Sequence, residues 1–202
     1  MVKKGFKVMK KAFCLVLAIL MLCAVILTGC SEKEVGEDIE TKAALQAIYD
    51  NAKAALGDAV FVPMTLDYEI NADTCANYTG LTAEQFAEYV MDGYTLIAAI
   101  NVQTFDLALV KCKDYAAAKE VKKLIAEGFN PANRVCAIPD QAFVIESGRF
   151  VLLGGMSNDT AEAFQKAFTD QFETKAGEVN KFFERGEGDT GGGLGGLDLI
   201  PG

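Results

Sequence analysis

Histidine is missing from all 202 residues, and that one absence removes His-based triads, the imidazole metal ligand and the commonest proton shuttle at neutral pH. Metal and phosphate signatures are missing as well. The six cysteines have neither the spacing of a zinc site nor that of a small disulfide scaffold. Gly154-Gly155, ahead of a predicted helix start at Ser157 to Asp159, offers backbone amides to an anion. It lacks the other Walker glycines, their lysine-serine end and the dinucleotide fingerprint, so a sheet-exit turn with a polar cap is the plainer reading. Asp67, Glu69, Asn71 and Asp73 alternate like the opening of a calcium loop. Ala72 stands where the sharp turn needs glycine and Tyr78 where a glutamate should close the loop, which favours a solvated loop or strand edge. No catalytic residue, cofactor or metal is assigned from the sequence.

What the chain does have comes first in its order. Lys3, Lys4, Lys7, Lys10 and Lys11 precede sixteen uninterrupted apolar residues, Ala12 to Leu27. As a helix this run is about 24 Å long, short of a comfortable bilayer span. It ends in Leu27-Thr28-Gly29-Cys30, which resembles the lipobox of a bacterial lipoprotein signal peptide. That resemblance implies cleavage after Gly29, a diacylglyceryl group on the Cys30 thiol, further acylation such as palmitate, and a location on the outer face of the cytoplasmic membrane. Two or more acyl chains hold a protein firmly where one binds marginally.

Positive charge is scarce beyond that point. The five leader lysines leave with residues 1–29, so 14 basic side chains face all 28 acidic ones, a formal net charge of -14. Such a surface repels nucleic acid and excludes it as a partner. Residues 30–40 are acidic around a solitary Val35 and suit a polar tether. Residues 41–185 suffice for one domain with a real core and no disulfide staples. Residues 186–202, with Gly191-Gly192-Gly193-Leu194-Gly195-Gly196, read as a disordered tail.

Within the domain, apolar positions at three- and four-residue steps predict a helix from Thr41 to Leu56, stopped by Gly57. Ala59 to Leu66 contains Pro63 and suits an edge strand. Thr82 and Gln85 form a capping box with Leu81 and Phe86 as its staple, opening a helix to about Met91 before a turn at Asp92-Gly93. Strands are expected over Tyr94 to Val102 and Thr104 to Cys112, joined near Asn101 to Phe105. Asp114 caps a helix from Tyr115 to Glu127, with Lys119, Lys122 and Lys123 on its outer face. A short strand over Arg134 to Ile138 follows, then a hairpin, Ala142 to Glu146 and Arg149 to Leu153 around Ser147-Gly148. A last helix carries Ala163, Phe164, Ala167, Phe168 and Phe172 inward and runs on to Phe183 past a break at Gly177. The fold class is α+β, with a mainly antiparallel sheet flanked by helices.

Asp106-Leu107-Ala108-Leu109-Val110-Lys111-Cys112-Lys113-Asp114, the lysine-bearing helix after it, and Gly148-Arg149-Phe150-Val151-Leu152-Leu153-Gly154 before an Asn-Asp helix start resemble the DUF4358 family of small bacterial lipoproteins. The likeness covers about 80 residues and implies an envelope location and an α+β architecture. It transfers no site residues.

The functional expectation is a membrane-anchored, non-catalytic module that binds a protein, peptide or small molecule, an envelope protein or peptide among them, or that assists an envelope process. Tyr68, Tyr78, Tyr89 and Tyr94 are candidates for its recognition face, although half-buried rings along a sheet edge account for them equally. The alternative is an envelope hydrolase working through carboxylates, Glu69 and Asp73 being nearest, or through a single cysteine among Cys75, Cys112 and Cys136.

Overall fold

The computed structural model describes residues 38–59, 62–100, 104–133, 138–172 and 177–186. Its first helix, α1 (Thr41–Leu56), buries Ala44, Leu45, Ile48, Tyr49 and Ala52 on one side and stops at Gly57, where φ is 60°. Asn71 accepts the amides of Asp73 and Thr74 at 3.0 and 3.2 Å, an Asx turn that leads into the short helix α2 (Cys75–Thr79). The capping box forms as expected: Gln85 N donates to Thr82 Oγ1 and Thr82 N to Gln85 Oε1, at 3.2 and 2.9 Å, opening α3 (Ala83–Tyr89). Asp114 Oδ1 accepts the Ala117 amide at 2.8 Å and starts α4 (Tyr115–Gly128). The last helix is α5 (Asn158–Phe172).

Among the described residues six strands make one sheet: β1 (Thr65–Glu69), β2 (Val90–Ala98), β3 (Asp106–Cys112), β4 (Gln141–Ser147), β5 (Phe150–Met156) and β6 (Asn180–Glu184). Their order is β1-β2-β3-β5-β4-β6 and every neighbouring pair is antiparallel. Helices cover both faces. On one, α1 and α5 pack over Leu107, Leu109, Phe143, Ile145, Phe150 and Leu152. On the other, α2, α3 and α4 pack over Ala108, Val110, Cys112, Val144, Val151 and Leu153. The alternation along β3 therefore separates two cores, and all seven of its residues are buried. This single α+β domain matches the expected class.

Several expected boundaries move. No turn forms at Asp92-Gly93: the chain passes from α3 directly into β2, with a bulge between Val90 and Asp92. The first strand begins two residues after Pro63, so the proline precedes the edge it was expected to interrupt. Ser147 pairs with Phe150, which makes Gly148-Arg149 the hairpin turn, with φ of 60° at Gly148. Gly154-Gly155 lies inside β5, and no sheet-exit turn occurs there. A Cβ on Gly154 would overlap the Phe143 ring, so glycine is required for packing across the hairpin. The final helix ends at Phe172, and Asn180 to Glu184 return as a strand that buries Phe182 and Phe183 in the α2–α4 core. Those two phenylalanines need the far face of the sheet, which a continuous helix would not reach. Lys122 leaves the solvated row assigned to it, since it is held inward by Glu146. The expected turn near Asn101, most of the strand at Arg134 to Ile138, the leader and the tail from residue 187 lie outside the described residues.

Candidate functional site

β1 is a sheet edge whose outer side no strand pairs with among the described residues. Tyr49 Oη, from α1, donates to the Pro63 carbonyl at 2.9 Å and fixes the chain as it enters the strand. Lys42, also on α1, pairs with Asp67, and its ammonium lies 5.9 Å from the centre of the Tyr94 ring. Asp67 and Glu69 thus face the α1 side. Leu66 and Tyr68 point to the opposite face, where Tyr68 stacks on Tyr78 of α2 with ring centroids 6.2 Å apart and planes 12° from parallel. Met64, Leu66 and Tyr68 are 72%, 45% and 42% exposed. Alternation puts these three on one face, forming an apolar strip beside an open backbone.

The pairing with β2 determines which backbone groups are open. Ile70 N bonds Gly93 O, and Ala99 N bonds Met64 O, both at 2.8 Å. Even-numbered residues therefore turn their amides and carbonyls toward β2, and Thr65, Asp67 and Glu69 turn theirs outward. Asp67, bonded to Lys42 and attracted by its charge, has a carboxyl held below the usual range, and it remains ionised at neutral pH.

Charged side chains elsewhere in the sheet serve the fold. Arg149 donates through Nε to Cys112 O at 3.1 Å and through Nη2 to Lys113 O, tying the β4–β5 turn to the end of β3. Lys113 Nζ caps the end of α3 by donating to Ala87 O at 2.8 Å. Lys111, buried, donates to Ile39 O at 3.1 Å and sits 5.7 Å from the Phe150 ring centre. It fastens the start of the domain to the sheet. Lys122 Nζ lies 2.5 Å from Glu146 Oε2 and also donates to Glu178 O.

The sequence candidates scatter. Of the four tyrosines only Tyr68 and Tyr78 meet; Tyr94 lies on the other face, and Tyr89 ends α3, its phenol raised by a hydrogen bond to Glu88. Cys75 and Cys112 are free and buried. Desolvation pushes both thiols up, Cys112 to about 12, which is the opposite of an activated nucleophile. Glu69 ends β1 and Asp73 lies in the following turn, both exposed. Among the described residues no group of three or more Cys, Asp or Glu side chains is placed to hold a metal ion. Cys30 and Cys136 lie outside the described residues. Met64 and Leu66 were not singled out from sequence, although the spacing of Met64, Leu66 and Tyr68 is a strand period that carried the signal.

No helix among the described residues is long and apolar enough to cross a membrane. Comparison with protein-family models, with curated proteins and with solved structures finds no match to this chain.

Proposed function

We propose that this chain is a lipoprotein of the cell envelope, anchored through Cys30 on the outer face of the cytoplasmic membrane, whose α+β domain works by binding and not by turnover. The observation that carries the binding part is the stacked Tyr68–Tyr78 pair, set beside exposed Met64 and Leu66 at a sheet edge. Aromatic rings that are half-exposed and held rigid present contact area at little entropic cost, the usual property of recognition surfaces. The anchoring part rests on the leader and lipobox. Eight residues separate Cys30 from Ile39, nine steps along the chain, so the tether reaches at most about 32 Å from the lipid. The likeness to the DUF4358 lipoproteins agrees with this location.

The test pairs capture with assay. Detergent-solubilised envelope is passed over the soluble domain and over its Tyr68→Ala variant, and both preparations are assayed against peptide, ester and glycoside substrates. A partner retained by the parent and lost by the variant supports the reading. Turnover that scales with protein concentration and is abolished by replacing Glu69, Asp73 or one cysteine would instead establish the hydrolase.

A further inference from the structure

We infer that the β1 edge binds an extended peptide segment as an added strand, one that alternates cationic and apolar side chains. This inference rests on the binding reading above and names what the surface recognises. Native sheets blunt their edges with lysine, proline, bulges or ion pairs, because open amides and carbonyls invite another strand. The opposite edge of this sheet does so. β6 has a register shift against β4, carries Lys181 paired with Glu184 at 3.7 Å, and is followed by Arg185, 3.5 Å from Asp140. β1 lacks most of these devices: it holds neither lysine nor proline and its register with β2 is continuous from Thr65 to Glu69, although Asp67 is ion-paired with Lys42 of α1. Its outward amides and carbonyls, at Thr65, Asp67 and Glu69, match the spacing that a partner strand would satisfy.

The side chains define the partner. On the α1 side Asp67 and Glu69 stand two residues apart, both exposed, and a strand laid alongside would set alternate residues opposite them. Asp67 is already paired with Lys42, so Glu69 is the carboxylate that favours a cation and opposes a carboxylate in the added strand. On the other side Leu66 and the Tyr68–Tyr78 stack accept apolar residues. A second copy of this chain fits poorly. Antiparallel pairing of β1 with itself about Asp67 places that carboxylate opposite its twin, and the chain beyond Gly29 carries a net charge of -14.

The experiment titrates the soluble domain with three nine-residue synthetic peptides and follows amide hydrogen exchange by NMR. The first alternates lysine with isoleucine, the second replaces lysine by glutamate, and the third keeps lysine but is N-methylated on alternate amides. With the lysine peptide at ten times its Kd, exchange at Thr65, Asp67 and Glu69 should slow about tenfold. The amides of Leu66 and Tyr68, already turned to β2, should change little. Methylation should abolish the effect, and Glu69→Lys should shift preference toward the glutamate peptide. Binding that Tyr68→Ala weakens, but that leaves those three amides unprotected, would overturn strand addition and leave the binding surface standing. No binding by any peptide would overturn the inference. Protection of the same amides without peptide would also overturn it: a concentration-dependent effect would assign the edge to a second copy, and a concentration-independent one to another segment of this chain.

Discussion

Cys112 lies in the central strand of the sheet with no exposed surface, and burial pushes its thiol from the ordinary value of about 9 up to about 12. Native Cys75 and Cys112 should therefore resist alkylation at pH 8 and label readily in denaturant, as mass mapping of the modified cysteines would show. The sign of the pH effect follows from linkage. The folded thiol holds its proton where the unfolded one releases it, so this contribution to stability is intact below about pH 9 and is lost as the pH rises toward about 12. Cys112→Ala should flatten that alkaline fall in denaturant midpoints relative to the parent protein. Tyr49 offers a second check at this scale. Tyr49→Phe removes the bond to Pro63 O, costs about 1 kcal/mol, and should speed amide exchange at the entry to β1.

Helix α4 is positioned by a close backbone crossing and by an ion pair. Gly80, at φ 75°, lies against Gly128 so closely that a Cβ on either would enter the other's backbone. Backbone cannot rotate aside as a side chain can, so Gly128→Ala should cost about 1–3 kcal/mol. For a domain of this size that lowers the unfolding midpoint by roughly 2–4 °C per kcal/mol, readable by calorimetry. The Lys122–Glu146 pair joins α4 to β4, with side chains only 16% and 17% exposed. Lys166 and Asp170 on α5 are at the same 2.5 Å but mostly solvated. Separation is equal, so screening decides. A double-mutant cycle should give a coupling of about 1–2 kcal/mol for the first pair and no more than about 0.5 kcal/mol for the second.

At the scale of the molecule, strand order links distant parts of the chain. β5 sits between β3 and β4, so the hairpin joins the sheet only after α4 has crossed the face carrying Cys112 and Val151. Both cores are built on the same central strands, which couples them. A chain beginning at Ser31 should accordingly unfold in one cooperative step, with coincident loss of helix, strand and near-ultraviolet signals. Separate transitions would contradict the shared sheet. Intact mass of the detergent-extracted protein should show residues 1–29 removed and a diacylglyceryl group on Cys30; an unprocessed leader in cells competent for lipoprotein maturation would refute the anchor.

Local periodicity determined much of this protein unaided. Ala44, Leu45, Ile48 and Ala52 delimit α1, Thr82 and Gln85 cap α3 by contacts three residues apart, and Leu107 and Leu109 separate from Ala108 and Val110 by simple alternation. These signals are short-range, which is why they are legible in one dimension. The absence of histidine and the lipobox-like sequence Leu27-Thr28-Gly29-Cys30 are likewise properties of the string. Tertiary structure alone decided that Phe182 and Phe183 belong to a sixth strand, because their burial depends on the far face of a sheet built mostly by earlier residues. It also decided that Lys122 is an inward tie, since Glu146 approaches from another element. The candidate site has the same origin: Tyr68 and Tyr78 are ten residues apart, a spacing with no helical or strand meaning, and they stack only because the Asx turn at Asn71 and the helix after it fold back beside the open edge of β1.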